Sequence, residues 1–305
     1  MTATGFLYDP AFLEHRTPAG HPESPHRLAR IVDHLDRSGL RGRLLDVAVG
    51  PADRESLAAV HRPEYLERIE RLGEGWIDPD TYCSPGSWTA AVLAAGAVCR
   101  ALDACREGRI ARAFCAVRPP GHHAEPARGM GFCLVNNAAV GARYAQRLGY
   151  ARVMVADFDV HHGNGTQAAF YEDDSVFYFS THEYPHYPGT GASGERGIGR
   201  GAGCTHNVPL RAGSGDAAMR EAWDGLFRAD VAAFRPDCCI VSAGYDLHEG
   251  DPLADLRVTD DGVRGIIRSI LEACAGIPVV FTLEGGYNLA TLARCVGITV
   301  EELLG

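Results

Sequence analysis

The sequence predicts an α/β fold in which a mostly parallel sheet carries helices on both faces. Three observations support this prediction: short apolar runs recur along the chain, amphipathic stretches separate them, and no linker rich in proline, glycine and serine divides the 305 residues. Runs that are apolar throughout, rather than alternating with polar residues, are typical of strands buried on both faces. Strand–helix alternation of this kind favours a single domain that spans residues 1–305.

Five apolar runs rich in Val, Ile, Phe and Cys are predicted to be strands: 113–117, 152–158, 175–180, 238–243 and 278–283. The clearest helix is predicted to start at Ser24, an N-cap candidate followed by Pro25, and to end at Gly39. Further helices are predicted at 88–105, 136–148, 216–234 and 260–275. The glycine-rich segment 181–207 is predicted to be irregular, and a loop of that length usually borders a functional site.

Composition excludes several classes of protein. A net charge of −10 argues against a nucleic-acid partner, because such proteins need a basic face to neutralise phosphates. No apolar stretch approaches the length of a membrane-spanning helix, and the first residues lack the pattern of a signal peptide. The ten cysteines form no CxxC pair and favour reduced core thiols. We therefore expect a cytoplasmic protein with no membrane or nucleic-acid partner.

The segment DFDVHHGNG follows the predicted strand 152–158 and carries the first candidate site. Asp157, Asp159 and His161 alternate, so their side chains project to one side at the end of a strand. Buried carboxylates clustered there would repel each other unless a cation neutralised them, although Asp157 alone could simply cap a helix. Asp246, in SAGYD after another predicted strand, adds a carboxylate.

Asp159, His161 and Asp246 together give three metal ligands and leave an open position, as catalytic metal sites do. Zinc is the first choice for this set, and iron(II) or manganese(II) also suit its ligands.

Two further motifs follow predicted strands. His122 and His123 in PPGHHA suit a proton-handling pair or, alternatively, surface histidines, and Tyr287 in LEGGYN could otherwise belong to an ordinary turn.

The order PPGHHA, GFCxxNN, DxDxHHGNGTQ, YPGTG, SAGYD…DPL and LEGGYN resembles the zinc-dependent histone deacetylase and acetylpolyamine amidohydrolase family, in its class II-like bacterial-type branch. The resemblance runs from His21 to Tyr287. It implies an arginase/deacetylase-like three-layer fold with an eight-stranded, mainly parallel sheet flanked by helices. It also implies zinc-dependent hydrolysis of an acetylated amine.

Carried over residue by residue, the resemblance implies the following roles. The zinc ligands are Asp159, His161 and Asp246, and the catalytic group comprises His122, His123, Tyr287, Asp157 as partner of the first histidine and Asn164 as partner of the second. In other branches an aspartate stands at the position of Asn164. The substrate channel would include Gly131, Phe132, Tyr187 and Leu253, with Arg27 either lining an inner acetate channel or lying on a helix surface.

The resemblance also implies structural potassium ions. A first site would use the Asp157 side chain, the Ser180 hydroxyl and the backbone carbonyls of Asp159, His161 and Thr181. A second would use the carbonyls of Phe170, Asp173 and Val176.

The substrate is the open question at this level. Polyamine-specific relatives place an acid at the channel mouth, whereas Leu253 stands at one such position here, although Glu183, Glu195 or Asp80 could line the mouth instead. We therefore expect acetyl-lysine in a protein or peptide, with an acetylpolyamine or another small acetylated amine as the alternative. Two other functions fit the sequence less well. A binuclear manganese ureohydrolase would need further acids beside the first metal. A protein that only binds acetyl-lysine would not need the two histidines and Tyr287.

Overall fold

A central sheet organises the protein, described for residues 3–305 in a computed structural model. These residues contain ten strands: β1 (Ala3–Leu7), β2 (Leu45–Asp46), β3 (Gly75–Trp76), β4 (Tyr82–Cys83), β5 (Ile110–Cys115), β6 (Val153–Asp157), β7 (Val176–Glu183), β8 (Thr205–Leu210), β9 (Cys238–Ala243) and β10 (Val279–Leu283). Strands β3 and β4 form a separate antiparallel pair. The other eight pair in parallel throughout, in the order β2-β1-β5-β10-β9-β6-β7-β8, which confirms the predicted sheet.

Helices cover both faces of this sheet. They are α1 (His26–Arg37), α2 (Arg54–Ala58), α3 (Pro63–Leu72), α4 (Ser87–Arg106), α5 (Asn137–Arg147), α6 (Asn164–Phe170), α7 (Asp216–Arg220), α8 (Arg228–Phe234), α9 (Asp260–Ala273) and α10 (Leu289–Leu304). Helices α4 and α5 pack together on one face, whereas α1, α9 and α10 form the layer on the other. A π-helical segment, Glu221–Phe227, joins α7 to α8, so the helix predicted over 216–234 is continuous but not regular.

The long helix α4 owes its position to small side chains. Its alanines are buried against the sheet and α5, which lets the helix approach both closely. It is also the one helix among residues 3–305 that is long and apolar enough to cross a membrane, but 67% of the relevant window is buried inside the protein, as in a core helix.

The structure differs from the predicted elements at the start of α1 and in the glycine-rich segment 181–207. Helix α1 begins at His26, two residues after the predicted N-cap Ser24, and Pro25 already has helical backbone angles of φ −55° and ψ −26°. The segment 181–207 is irregular only over 184–204, because β7 runs on to Glu183 and β8 starts at Thr205. Strand β8 contains Pro209, which is tolerated because β8 lies at the edge of the sheet.

Gly96 provides a test of the α4 packing. A Cβ at this position would lie 1.9 Å from the carbonyl oxygen of Gly50, which belongs to the segment 50–52 that crosses the helix. We expect Gly96→Ala to lower the free energy of unfolding by about 1–3 kcal/mol, because backbone atoms must shift to admit the methyl group. Chemical denaturation followed by circular dichroism measures the change.

Gly265→Ala on α9 is the matched control, because no atom lies within 4 Å of a Cβ built there. It should raise the free energy of unfolding by about 1 kcal/mol, the helix-propensity difference between alanine and glycine. Equal effects of the two substitutions would contradict the close crossing at Gly96.

Candidate active site and metal centre

Four neighbouring strands bring the predicted site residues together. In the sheet β5, β10, β9 and β6 are adjacent and parallel, so their carboxyl ends meet at one edge, where ligands of open α/β sheets bind. The segments that follow them carry, in the same order, the His122–His123 pair, Tyr287, Asp246 and the Asp159–His161 pair.

Asp159, His161 and Asp246 offer ligand atoms that lie within 4.8 Å of one another. The Nδ1 atom of His161 is 3.1 Å from Asp159 Oδ1 and 3.3 Å from Asp246 Oδ2. Burial lowers the pKa of His161, but the hydrogen bond to Asp159 and the negative charges of Asp246 and Asp159 outweigh it and raise the pKa to about 10. The three side chains therefore form a buried group that favours a bound positive charge.

A divalent metal ion fits these residues on two structural grounds. The Oδ2 atom of Asp246 is buried and accepts no hydrogen bond from the described residues, which leaves a charged oxygen that needs a cation. Glycines make the close approach of the backbone possible: a Cβ at Gly244 would lie 1.9 Å from Asp159 Oδ2, and one at Gly285 would lie 2.0 Å from Asp246 Oδ2. Backbone amides also fix both carboxylates, since Gly285 donates to Asp159 over 2.8 Å and Val160 to Asp246 over 3.1 Å.

His122 is held as a cation by a buried carboxylate. Its Nδ1 atom is 3.1 Å from Oδ2 of Asp157, which also accepts the hydroxyl of Tyr178 over 3.1 Å. Burial lowers the pKa of His122, but the charges of Asp159 and Asp157 and the hydrogen bond to Asp157 raise it to about 10. These carboxylates therefore favour the charged form of His122.

His123 has the opposite state. Burial, followed by the positive charges of His122 and His161, holds its pKa well below the usual range, so the imidazole is neutral. Its Nδ1 atom lies 2.8 Å from the side-chain oxygen of Asn164, whose nitrogen donates to a carboxylate oxygen of Glu125 over 2.7 Å. A carboxylate only accepts, so the amide oxygen must face His123, and Nδ1 carries the proton. The lone pair is thus on Nε2, which suits a base.

Glu125 was missed by the sequence analysis, although it follows His123 by two residues in GHHAE. Asp251 is the first residue of the DPL motif, and no role was predicted for it. In the structure its Oδ2 accepts the backbone amides of Tyr287 over 2.6 Å and of Asn288 over 3.1 Å. This carboxylate therefore fixes the turn that presents Tyr287, a role for which the spacing of the sequence gives no signal.

Arg27 lies behind Tyr287. Its side chain is fully buried, Nε donates to the carbonyl of Gly286 over 2.7 Å, and the guanidinium carbon is 5.0 Å from the centre of the Tyr287 ring. The alternative in which Arg27 is a helix-surface charge is therefore wrong. Arg27 also pairs with the buried Glu23, which binds Arg118 as well.

Aromatic side chains flank the catalytic candidates. The ring centre of Phe132 is 5.7 Å from that of Tyr287, and the ring centre of Tyr187 is 5.1 Å from that of His123. Gly131 has φ +57°, and a Cβ there would lie 2.4 Å from His123, so this turn requires glycine. Tyr187 and Leu253 are each 36% exposed, which places these two side chains partly at the surface.

Two of the three acids considered for the channel mouth are committed elsewhere. Glu183 is buried and accepts the backbone amide of Asp255, whereas Glu195 accepts the amides of Gly191 and Ala192. Asp80 lies nearer the channel loop: its backbone carbonyl is 3.0 Å from Nε2 of His21, whose ring contacts Phe132, and its carboxylate accepts the hydroxyl of Thr81 over 3.1 Å.

The residues predicted for potassium occupy both ends of β7. Ser180 pairs with Asp157 across β6 and β7, and the buried hydroxyl of the neighbouring Thr181 has no partner among the described residues. Phe170, Asp173 and Val176 lie between the end of α6 and the start of β7. Both potassium sites stay predictions.

A second group, His248, Asp260 and Cys295, also brings potential metal ligands within 4.8 Å of one another. The Nδ1 atom of His248 accepts the amide of Gly250 over 3.0 Å, so Nε2 carries the proton and donates to Asp260 over 3.1 Å. Arg294 neutralises Asp260. This hydrogen-bonded group leaves no free histidine nitrogen, and we assign no metal to it.

Several known proteins are similar to this chain along most of its length. The family model described as "Histone deacetylase domain" matches residues 21–303. Histone deacetylase 10, chloroplastic, of Oryza sativa subsp. japonica is 42% identical over 309 residues, covering 93% of this chain and 70% of that protein. Polyamine deacetylase HDAC10 of Homo sapiens is 38% identical over 322 residues, covering 100% of this chain and 47% of that protein.

The crystal structure of the HDA15 HD domain is similar with a TM-score of 0.95 and 38% identity, covering 100% of this chain and 88% of that one. These matches also support the arginase/deacetylase fold and a deacetylase or amidohydrolase activity. Because the family domain spans residues 21–303, the chain belongs to the histone deacetylase family.

Proposed function

We propose that this chain is a zinc-dependent deacetylase that removes acetyl groups from acetyl-lysine in proteins or peptides. The observation that carries the proposal is the placement of the buried His122–His123 pair, with two different hydrogen-bond partners, beside the Asp159–His161–Asp246 group. Binding an acetyl group would not require two adjacent buried histidines, one bonded to a carboxylate and the other to an amide, whereas hydrolysis of an amide requires a base and later an acid.

Asp159, His161 and Asp246 would hold the metal, with Zn²⁺ preferred and Fe²⁺ or Mn²⁺ also compatible with the ligands. When bound, the ion supplies Lewis acidity that polarises the acetyl carbonyl and eases loss of a proton from water. Among the described residues, the position of Asn164 offers an amide bonded to His123 and Glu125, and Asp157 is bonded to His122 and Tyr178, which argues against a second metal as in a ureohydrolase.

His123 would move the protons. Its unprotonated Nε2 can accept a proton from the attacking water, while Asn164 stabilises the imidazolium that results by accepting from Nδ1. The same nitrogen can then return a proton to the departing amine, a contribution that is typically 10²–10⁴-fold for a positioned acid–base group. His122, with Asp157, supplies a fixed positive charge beside this exchange.

Tyr287 would stabilise the developing oxyanion. Burial and the charges of Asp246 and Asp159 raise the pKa of its phenol, so the hydroxyl keeps its proton at neutral pH and can donate. Asp251 holds the backbone of this residue, and Arg27 supports its ring, so the donor is positioned before a substrate binds.

Substrate choice rests on the channel mouth. Leu253 stands where an acid would favour polyamines, and Glu183 and Glu195 are bonded to backbone amides. These observations support acetyl-lysine in a peptide. An acetylated polyamine is the second candidate, because Asp80 stands beside the channel loop and one relative is a polyamine deacetylase. A cytoplasmic location stays a prediction.

We expect Asp246→Ala to abolish deacetylation and to lower the zinc content sharply, because it removes one of three ligands and one of two neutralising charges. Elemental analysis of the purified variant measures the second effect. Asp260→Ala is the control, since it removes an acid from the other His–Asp–Cys group and should leave the zinc stoichiometry unchanged. Full zinc occupancy in the Asp246 variant would show that the ligand set is wrong.

Tyr287→Phe should lower kcat by about 10²–10³-fold with unchanged zinc content, because it removes one oxyanion donor and keeps the ring. Affinity for a metal-chelating hydroxamate should fall by only about 1–3 kcal/mol. Tyr144→Phe, which removes a hydroxyl bonded to Asp103 between helices, is the control and should keep kcat. Steady-state kinetics measures kcat, and full activity of the Tyr287→Phe variant would rule out the oxyanion role.

The substrate proposal is tested by measuring kcat/KM for an acetyl-lysine peptide and for a monoacetylated polyamine side by side. We expect the peptide to be preferred, and Asp80→Asn to affect the cationic polyamine more than a neutral peptide, because only the former would gain from a carboxylate at the mouth. A preference for the polyamine of tenfold or more, about 1.4 kcal/mol, would favour the second candidate.

A further inference from the structure

Glu284 is a buried carboxylate that the proposed mechanism does not use. It directly follows β10, stands three residues before Tyr287, and its side chain is inaccessible to solvent. A lone acid in such a place is costly unless several donors compensate it. The donors that bind the Glu284 carboxylate therefore show which segments it connects.

Glu284 accepts hydrogen bonds from two different segments of the site. Its Oε2 atom accepts the backbone amide of Gly121 over 2.6 Å and that of His122 over 3.1 Å. Its Oε1 atom accepts the hydroxyl of Ser242 over 3.1 Å. One carboxylate thus joins the main chain of the histidine pair to β9, the strand that leads to Asp246.

The main chain of Glu284 is fixed as well. Its amide donates to the carbonyl of Ala243 over 2.9 Å, and its carbonyl accepts from the guanidinium of Arg27. The side chain and backbone of a single residue therefore connect the segments that carry His122, Asp246 and Tyr287.

Other charges around Glu284 fit a positioning role. Burial raises its pKa to about 7, against the lowering effect of His122 and the Gly121 amide, while Asp157 and Asp159 add to the increase. In either protonation state Oε2 can accept the two amides, since a neutral carboxyl places its proton on one oxygen only.

We propose that Glu284 is a positioning residue that sets the distance between the His122–His123 main chain and the turn that carries Tyr287. The proposal rests on the proposed function, because it assigns Glu284 to the alignment of the groups that would perform the hydrolysis. Without the carboxylate, the amides of Gly121 and His122 lose their acceptor, and the loop can shift relative to Tyr287.

Two substitutions separate alignment from charge. Glu284→Gln keeps an oxygen that can accept both amides, and its NH₂ can donate to the Ser242 oxygen, so the contacts survive without the negative charge. Glu284→Ala removes the acceptor altogether. Ser242→Ala removes only the Oε1 contact and keeps both bonds to the histidine loop.

The experiment measures kcat, KM, zinc content and hydrogen exchange of the peptide covering residues 119–124. We expect Glu284→Ala to lower kcat by up to about 100-fold, the scale of a displacement near 1 Å, with KM and zinc content little changed. Its 119–124 amides should exchange faster. Glu284→Gln should restore most of kcat and the slow exchange, and Ser242→Ala should lose less than Glu284→Ala.

Equal losses in the Gln and Ala variants would overturn the proposal in favour of a charge effect, as would unchanged kcat and exchange in the Ala variant. If Glu284→Ala does not fold, the Glu284→Gln and Ser242→Ala variants still test the proposal. The Glu284→Gln variant must then stay close to the parent protein in both kcat and hydrogen exchange. An inactive parent would refute the proposed function alone, because hydrogen exchange tests the contact to Gly121 and His122 without any turnover.

Discussion

The structure depends on a concentration of buried negative charge at one edge of the sheet. The carboxylates of Asp157, Asp159, Asp246 and Glu284 are all almost inaccessible to solvent, and they follow three adjacent strands. Such a group is tolerable only if each acid is compensated by a cation or by several donors. The positions of His122, His161, the backbone amides and the proposed metal all follow from this requirement.

The backbone amides that bind these buried carboxylates explain why glycines occur in the segments around the site. The amides that bind Asp159, Asp246 and Glu284 belong to Gly285, Val160 and Gly121 with His122, and each lies in a short segment at a strand end. Gly244 and Gly285 are required because a Cβ would overlap a carboxylate oxygen. The glycines of SAGYD and LEGGYN thus allow the contact between acid and main chain that makes the charge cluster stable.

The sequence predicts those parts of the molecule that depend on local pattern. The buried strands and the helices after Gly86 and Asn136 were found because their apolar patterns are local signals, to which Asn136 adds a cap for the second helix. Strands β1 and β8 were missed, since β1 contains Thr4 and Gly5 and β8 contains polar residues and Pro209 at an edge. The motifs identified the metal ligands, the histidine pair and Tyr287 as candidates. Glu125, Asp251 and Glu284 act through hydrogen bonds between distant segments, and only three-dimensional placement shows those partners.

The hydrogen-bond partner of His122 is a carboxylate, whereas the partner of His123 is an amide. Asp159 and Asp157 favour the charged form of His122, whereas burial and the positive charges of His122 and His161 favour the neutral form of His123. Asn164, oriented by Glu125, then leaves the free lone pair of His123 on Nε2. Adjacent and chemically identical rings thereby acquire opposite protonation states from their surroundings. Under the proposed function, Nε2 of His123 is consequently ready to accept a proton in the resting protein, so little reorganisation of dipoles has to accompany the arrival of a substrate.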